Sequence, residues 1–413
     1  MKVKFKIVTY FLSIFFPAYC VNAQTFGCTD PLATNYNPNA NKNNGSCVYA
    51  DTSMVPYSSL NLDAKVIETS GLIKWKNHIW THNDNDDFKL YALDTIDGSI
   101  SQSIILTNTY NTDWEEVSQD ANYVYVGDFG NNSAGVRQNL RIFRIDKNSI
   151  LNNSPIVDTI KFSYNNQIDF TPNSPNKTDF DCEAFIVSSD SIYLFTKQWQ
   201  SNQTSLYVMP KIPGTHSARL KDSLNVQGLI TGATYLESKR MIALCGYSSL
   251  LQPFLYLLYD FKGDDFFAAN KRKIALSLPF HQIEGIASSD GLKYYLSNEY
   301  FSRGTFVTVN QKMHILDMSG FLDRYINNRT SGFTKIKKKD TFAVYPNPSK
   351  EKILVNLDLE VKCYPFVILN SIGEEILKGL IKSVNDEIDI STLSVGIYNL
   401  LIDGTYSFRI EKQ

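Results

Sequence analysis

Tyr123-Val124-Tyr125-Val126-Gly127-Asp128-Phe129-Gly130 reads as a strand that ends on an acid and a turn, and the chain writes it five times. Its counterparts are His78-Ile79-Trp80-Thr81-His82-Asn83-Asp84, Ile192-Tyr193-Leu194-Phe195-Thr196-Lys197, Met241-Ile242-Ala243-Leu244-Cys245-Gly246-Tyr247 and Tyr294-Tyr295-Leu296-Ser297-Asn298-Glu299. Apolar and β-branched residues dominate each run before polar ones take over, as in a strongly hydrophobic strand. A third strand follows every one: Lys89 to Asp94, Leu140 to Asp146, Ser205 to Met209, Phe254 to Asp260 and Met313 to Asp317.

An opening strand precedes each pair. Aligning Ser70, Glu116, Glu183, Thr231 and Glu284 gives spacings of about 46, 67, 48 and 53 residues, the period of four-stranded propeller blades. The long spacing holds a Pro/Asn-rich insertion, Asn165-Asn166-Gln167 through Pro175-Asn176-Lys177. The fifth unit lacks an outer strand, whereas Ser59 to Val66 stands unclaimed ahead of the first. An all-β, five-bladed propeller closed by that N-terminal strand is therefore expected over residues 58–322, since closure removes exposed edges. A sixth, degenerate blade remains open.

The unit openings carry the chemistry. Asp113, Glu115 and Glu116, then Asp181 and Glu183, then Glu284 put acids at one point of three units. Such positions converge at one mouth of a propeller's channel, where carboxylates repel unless a cation compensates. Ca²⁺ is the cofactor expected, as a hard cation that prefers oxygen ligands. At the ends of the second strands stand His82, Asp84, Asp128, Asn131, Lys197, Asn298 and Glu299 as partners. The plainer alternative is that repeated acids serve hydrogen bonding between blades.

Composition sets wide limits. The chain has 413 residues, 43% hydrophobic, and a net charge of −2, which gives no reason to invoke nucleic acid. Lys2, Lys4 and Lys6, an apolar run from Ile7 to Tyr19 and Val21-Asn22-Ala23 have the layout of a Sec signal peptide over residues 1–23. Bulky Tyr19 before Cys20 argues against a lipobox. No later stretch approaches the ~20 apolar residues of a membrane span. Over residues 24–50, Cys28 and Cys47 bracket an Asn-rich segment with little apolar core. They are expected to pair, which would stabilise it by about 3 kcal/mol on the chain-entropy model. The segment resembles a short module of secreted Bacteroidetes proteins. Its Asn/Asp spacing hints at calcium, but with Asp30 as its one acid a stapled spacer is the stronger reading. Cys182, Cys245 and Cys363 form no CxxC or Cys/His cluster and are expected as buried thiols.

After a linker over residues 323–340, basic at Lys335-Ile336-Lys337-Lys338-Lys339, strand-period stretches at Lys352 to Leu357, Phe366 to Leu369 and Tyr398 to Ile402 alternate with turn residues. They predict a small β-sandwich over 341–413. Its blocks, Tyr345-Pro346-Asn347-Pro348, then Asn370-Ser371-Ile372-Gly373, then Gly396-Ile397-Tyr398, resemble the C-terminal sorting domain of Bacteroidetes type IX secretion cargo. The resemblance implies Sec export to the periplasm, engagement of the type IX machinery, and a secreted or outer-surface-attached product.

In the centre, Asp113-Trp114-Glu115-Glu116 with Val126 to Asn132, and Asp181-Cys182-Glu183-Ala184-Phe185 with Phe195-Thr196-Lys197, resemble a family of uncharacterised secreted propeller-like proteins. Glu284-Gly285-Ile286-Ala287 with Leu296-Ser297-Asn298-Glu299 is also similar to esterase-like, phytase-like propellers. In those, carboxylate-held calcium binds phosphate with help from several basic residues, a part that falls here to Lys197 and Arg137 without a dense basic cluster. GxSxG, HExxH, Walker and GxGxxG signatures are absent. The sequence thus points to a binding or surface role toward an unidentified surface ligand or small molecule. The alternative is a metal-assisted phosphoesterase or esterase.

Overall fold

The computed structural model describes residues 24–85, 87–330, 342–357, 364–370, 373–383, 385–402 and 406–413. The expected signal peptide, the Lys335–Lys339 run and Cys363 lie outside the described residues. Residues to Arg329 form one compact unit and residues from Thr330 a second.

Four-stranded antiparallel blades make up the first unit. Their inner strands are Thr69–Trp75, Trp114–Gln119, Asp181–Val187, Leu229–Leu236 and Ile283–Ala287. Each packs on the next, and the fifth packs on the first, so five blades close a ring. Ser58–Asn61 pairs antiparallel with Lys312–Asp317 and supplies the fifth blade's outer strand. That strand stops short of the predicted Val66, because the Asp63 side chain accepts from Lys65 N and caps a 3-10 turn at Ala64–Val66. Just upstream, Ser53–Met54 lies parallel to Asn270–Leu276 on the fourth blade. The N-terminal segment therefore stitches two blades, and no sixth blade occurs among the described residues.

The outer strands of the second and third blades, Val157–Tyr164 and Gly214–Leu224, pair in parallel and merge those blades into one eight-stranded sheet. The insertion between them folds back on the second blade: Asn173 N donates to Ala134 O, Asn176 N to Asn132 O and Gln167 Nε2 to Gly135 O. Apolar clusters fill the spaces between blades, such as Tyr125, Phe129, Ile142, Phe185, Leu194 and Tyr207. Both strand faces are thus buried, which is why the second strands read as continuous apolar runs. Cys182 and Cys245 are buried free thiols.

Cys28 and Cys47 are joined by a disulfide. The stapled segment is anchored to the fourth blade, where Asn43 Nδ2 donates to Asp260 Oδ2 and Asn270 Oδ1 at 3.0 and 2.8 Å. Asp30 accepts from the hydroxyls of Tyr49 and Tyr259 at 2.8 and 2.5 Å, so its carboxylate fastens the module. Residues 323–330 of the expected linker instead continue a helix, Ser319–Thr330, that buries Leu322 and Ile326 among the fourth and fifth blades.

In the second unit, strands Phe342–Tyr345, Lys352–Leu357 and Asn385–Asp389 form one sheet; Glu375–Ile381, Tyr364–Leu369, Gly396–Ile402 and Tyr406–Lys412 form the other. Val355, Ile368, Ile381, Leu400 and Ile402 fill its core. The quoted blocks have local work to do. Asn347 bridges the last strand, donating to Arg409 O at 2.7 Å and accepting from Glu411 N at 2.8 Å. Tyr398 OH donates to Ser394 O. Gly373 turns the chain at φ 87°, a region where a side chain would be strained.

Candidate functional site

Every inner strand carries a β-bulge against its second strand at the same end of the ring. The register shifts between Ser70 and Ile73, at Gly127/Asp128, between Cys182 and Ala184, between Ile230 and Gly232, and between Ile283 and Gly285. A bulge turns one extra side chain away from the ladder. The residues so released are Glu115, Glu183, Thr231 and Glu284 in blades two to five. Glu115 rather than Glu116 is therefore the equivalent of Glu183 and Glu284, which corrects the sequence alignment by one residue. Repeats compared by strand pattern alone cannot show a bulge, so this offset was hidden.

Hydroxyl-bearing openings stitch blades together. Ser70 Oγ donates to Glu115 O and Thr231 Oγ1 to Ile283 O, each at 2.5 Å. The acid-bearing openings converge instead. Ligand oxygens of Glu115, Asp181 and Glu183, all buried, lie within 4.8 Å of one another. Lys197 Nζ stands 3.1 Å from Glu183 Oε1 and over the rings of Trp199 and Tyr247. Asp181 accepts from Asn131 N at 2.6 Å and Trp199 Nε1 at 2.7 Å. Glu115 and Asp113 close over Gly130, where a Cβ would come within 2.1 and 2.4 Å of their oxygens. Burial and the neighbouring acids hold Glu115 and Asp181 well above the carboxylate range. Burial pushes Glu183 up to about 7 against the pull of Lys197. Asp113 is pushed up to about 6 by burial and by Asp181.

A second cluster, more open to solvent, joins the first and fifth blades. Glu68, Asp84 and Glu299 also bring ligand oxygens within 4.8 Å. Backbone bonds place them: Asp84 N donates to Glu68 O, and Tyr300 N to Ile67 O. Gln282 Nε2 donates to Glu299 Oε1 at 2.6 Å. Burial, with Glu68 and Asp113, pushes Asp84 up to about 7. Burial and the adjoining Glu284, Asp84 and Glu68 drive Glu299 well above its ordinary value. Between the clusters sits Glu284, pushed up to about 7 by burial against the pull of Lys197 and of the neighbouring Tyr247 and Gln282, with a buried Oε2 that no donor meets in good hydrogen-bond geometry. Asp84, Asp113, Glu115, Asp181, Glu183, Glu284 and Glu299 all feel the one Lys197 ammonium.

Three predicted residues have structural partners of their own. Glu116 accepts from Val117 N at 2.9 Å and, across the ring, from Ala233 N at 2.7 Å. Asp128 is held by Arg137 Nη2 and Arg141 Nε, both at 2.9 Å. Asn298 accepts from His314 Nε2 at 2.8 Å and donates to Asn310 O; His314 in turn reaches Ser59 on the closing strand. These contacts tie neighbouring strands and blades together. Asn131 staples a loop through Phe180 O and Arg137 N. His82 is buried edge-on against Trp114 and pushed down to about 4 by burial, hence neutral. Glu68 was missed in the sequence because it precedes the first inner strand and has no counterpart in the other units.

Residues 343–412 match the family model described as the secretion system C-terminal sorting domain. No curated protein matches the chain. Among solved structures, the chain is similar to a Myxococcus xanthus glutaminyl cyclase (TM-score 0.39, 11% identity, 65% of this chain and 100% of that one). It is also similar to Porphyromonas gingivalis PorZ, a surface component of the type IX secretion system (TM-score 0.29, 11% identity, 84% and 45%). A third is the computationally designed Ika8 protein (TM-score 0.27, 8% identity, 87% and 99%). Among the described residues no helix is long and apolar enough to cross a membrane. Residues 343–412 are thus a secretion system C-terminal sorting domain, and they mark the chain as cargo of the type IX secretion system.

Proposed function

We propose that the propeller is a secreted surface protein that holds a divalent cation, Ca²⁺ in the first instance, at its acidic rim and uses it in binding a ligand. The observation that carries this reading is the excess of carboxyls over cations, with Glu284 buried between two oxygen clusters that share the single Lys197 ammonium. The donor set fits. Oxygens sharing one Ca²⁺ at about 2.3–2.6 Å stand no further apart than about twice that distance, and each cluster meets the limit. Glu68, Asp84 and Glu299, with Glu284 adjoining, form the site favoured for the ion, because Lys197 already compensates the inner group. The Asp84→Asn, Glu299→Gln double variant is expected to fold and to lose most of the Ca²⁺-dependent rise in melting temperature, with Ca²⁺ affinity in calorimetry falling at least about tenfold. An unchanged Ca²⁺ response would remove the site.

A second reading, a cation-assisted hydrolase of phosphomonoesters or simple esters, draws on Glu183 and Glu284. Both are pushed up to about 7, where a carboxyl serves as acid or base near neutral pH. It predicts Ca²⁺-dependent turnover that Glu183→Gln with Glu284→Gln abolishes. The binding reading requires none.

The export route has its own test. A chain ending before Thr341 is expected to fold and accumulate in the periplasm of a type IX-competent host, whereas the full chain reaches the outside. Equal export of both would overturn the sorting role of the tail.

A further inference from the structure

Across the merged sheet, Asp128, Arg141, Lys161 and Thr215 are register partners in one row. Adjacent strands stand about 4.8 Å apart, so this row roots Arg141 and Lys161 on neighbouring strands at the same level of the sheet. They line a groove of about 620 Å³, together with Tyr110, Thr112, Gln138, Asn139 and Ser163. Arg141 is only 4% exposed. Its Nε faces Asp128, its Nη1 donates to the Tyr110 hydroxyl, and its guanidinium stacks 4.1 Å from that ring. Its Nη2 is buried with no hydrogen-bond partner. Lys161 is exposed and makes no ion pair among the described residues.

We propose that this groove is a binding site for a hydroxyl-rich carboxylate, the chemistry of a uronic-acid residue in a polysaccharide. Arg141 and Lys161 bring two positive charges to the lining against the one carboxylate of Asp128, and a carboxylate is the group whose planar oxygens suit such a pair best. Lys161 adds the second positive charge at the solvent end. The amides of Gln138 and Asn139 and the hydroxyls of Thr112, Ser163 and Thr215 supply donors and acceptors for sugar hydroxyls. Half-exposed Tyr110 offers a ring edge and face beside them. Inorganic phosphate lacks the run of hydroxyls that the neutral lining would engage. An apolar ligand would leave every one of these groups unpaired.

The test uses the full secreted chain and two probes of equal length, a galacturonic-acid oligosaccharide and a neutral galactose oligosaccharide, in titration calorimetry. The acidic probe is expected to bind at least about tenfold more tightly than the neutral one, and Lys161→Glu to weaken it about tenfold or more. Because Lys161 is exposed, that variant should keep the parent melting temperature, which separates lost binding from lost fold. Tyr110→Ala should weaken both probes. Equal binding of the two oligosaccharides, binding indifferent to Lys161→Glu, or no binding of the acidic probe at millimolar concentration would each overturn the proposal.

Discussion

Stripped of divalent cations, the protein is expected to lose thermal stability as the pH rises from about 6.5 to about 8, and added Ca²⁺ is expected to restore it most at the upper end. The sign follows from the rim. Glu183, Glu284 and Asp84 titrate at about 7 in the folded chain, and Glu115, Asp181 and Glu299 well above their ordinary values. In the unfolded chain all are ionised by about pH 6. The folded state therefore holds more protons, and stability falls with rising pH until those protons are gone. Below about pH 6.5 the trend is blurred, because His82 and His314, pushed down to about 4 and 3 by burial, favour the opposite slope. Carboxylates held low by partners, such as Asp120 beside Lys211, act only in acid. One proton retained across the window is worth about 2 kcal/mol, or roughly 4–8 °C for a domain of this size. Scanning calorimetry in EDTA and in Ca²⁺ at both pH values reads it directly. A melting temperature that is flat in EDTA, or a Ca²⁺ shift equal at both pH values, would count against a carboxylate-held ion.

The ring was legible in the sequence because its determinants are local and repeated. Apolar second strands such as Tyr123 to Asp128 announce burial, and the missing fifth outer strand pointed to Ser59 to Val66, where Ser58–Asn61 forms it. The parallel pairing of Val157–Tyr164 with Gly214–Leu224 was not legible. It joins strands separated by a polar insertion and by three strands of the third blade, so no local pattern announces it. At the rim, residue types carried the argument as far as a set of acids. Which acids face each other depends on bulges that shift register by one position, and a one-residue slip changes a side chain's face. Hence Glu116 was aligned with Glu183 and Asp128 placed among its partners, although backbone donors and two arginines had already claimed them. Glu68 enters the site through the spatial meeting of the first and fifth blades, which no linear pattern encodes.

Replacing Lys197 with Met is expected to have the largest effect of any single substitution at the rim. The ammonium is 3.1 Å from Glu183 Oε1 and buried; the carboxyls it pulls downward include Asp181, Glu115 and Glu284. Met keeps most of the packing against Trp199 and Tyr247 but none of the charge. Removing one partner from a buried charge cluster costs about 3–5 kcal/mol, and at pH 8 this would lower the melting temperature by roughly 6–20 °C. At pH 6 the loss should be much smaller, since the orphaned carboxyls can take up protons instead. A loss of packing alone would be the same at both pH values, so that result would deny Lys197 its electrostatic role. Calcium adds a sharper contrast. The inner oxygens of Glu115, Asp181 and Glu183 already lie within 4.8 Å of one another, so without the ammonium they present a second place for a divalent ion. Ca²⁺ at pH 8 should therefore stabilise the Met variant by more than it stabilises the parent. If the variant gained no more than the parent, the inner cluster would be a lysine-locked structural knot, and the cation would belong to Glu68, Asp84 and Glu299 alone.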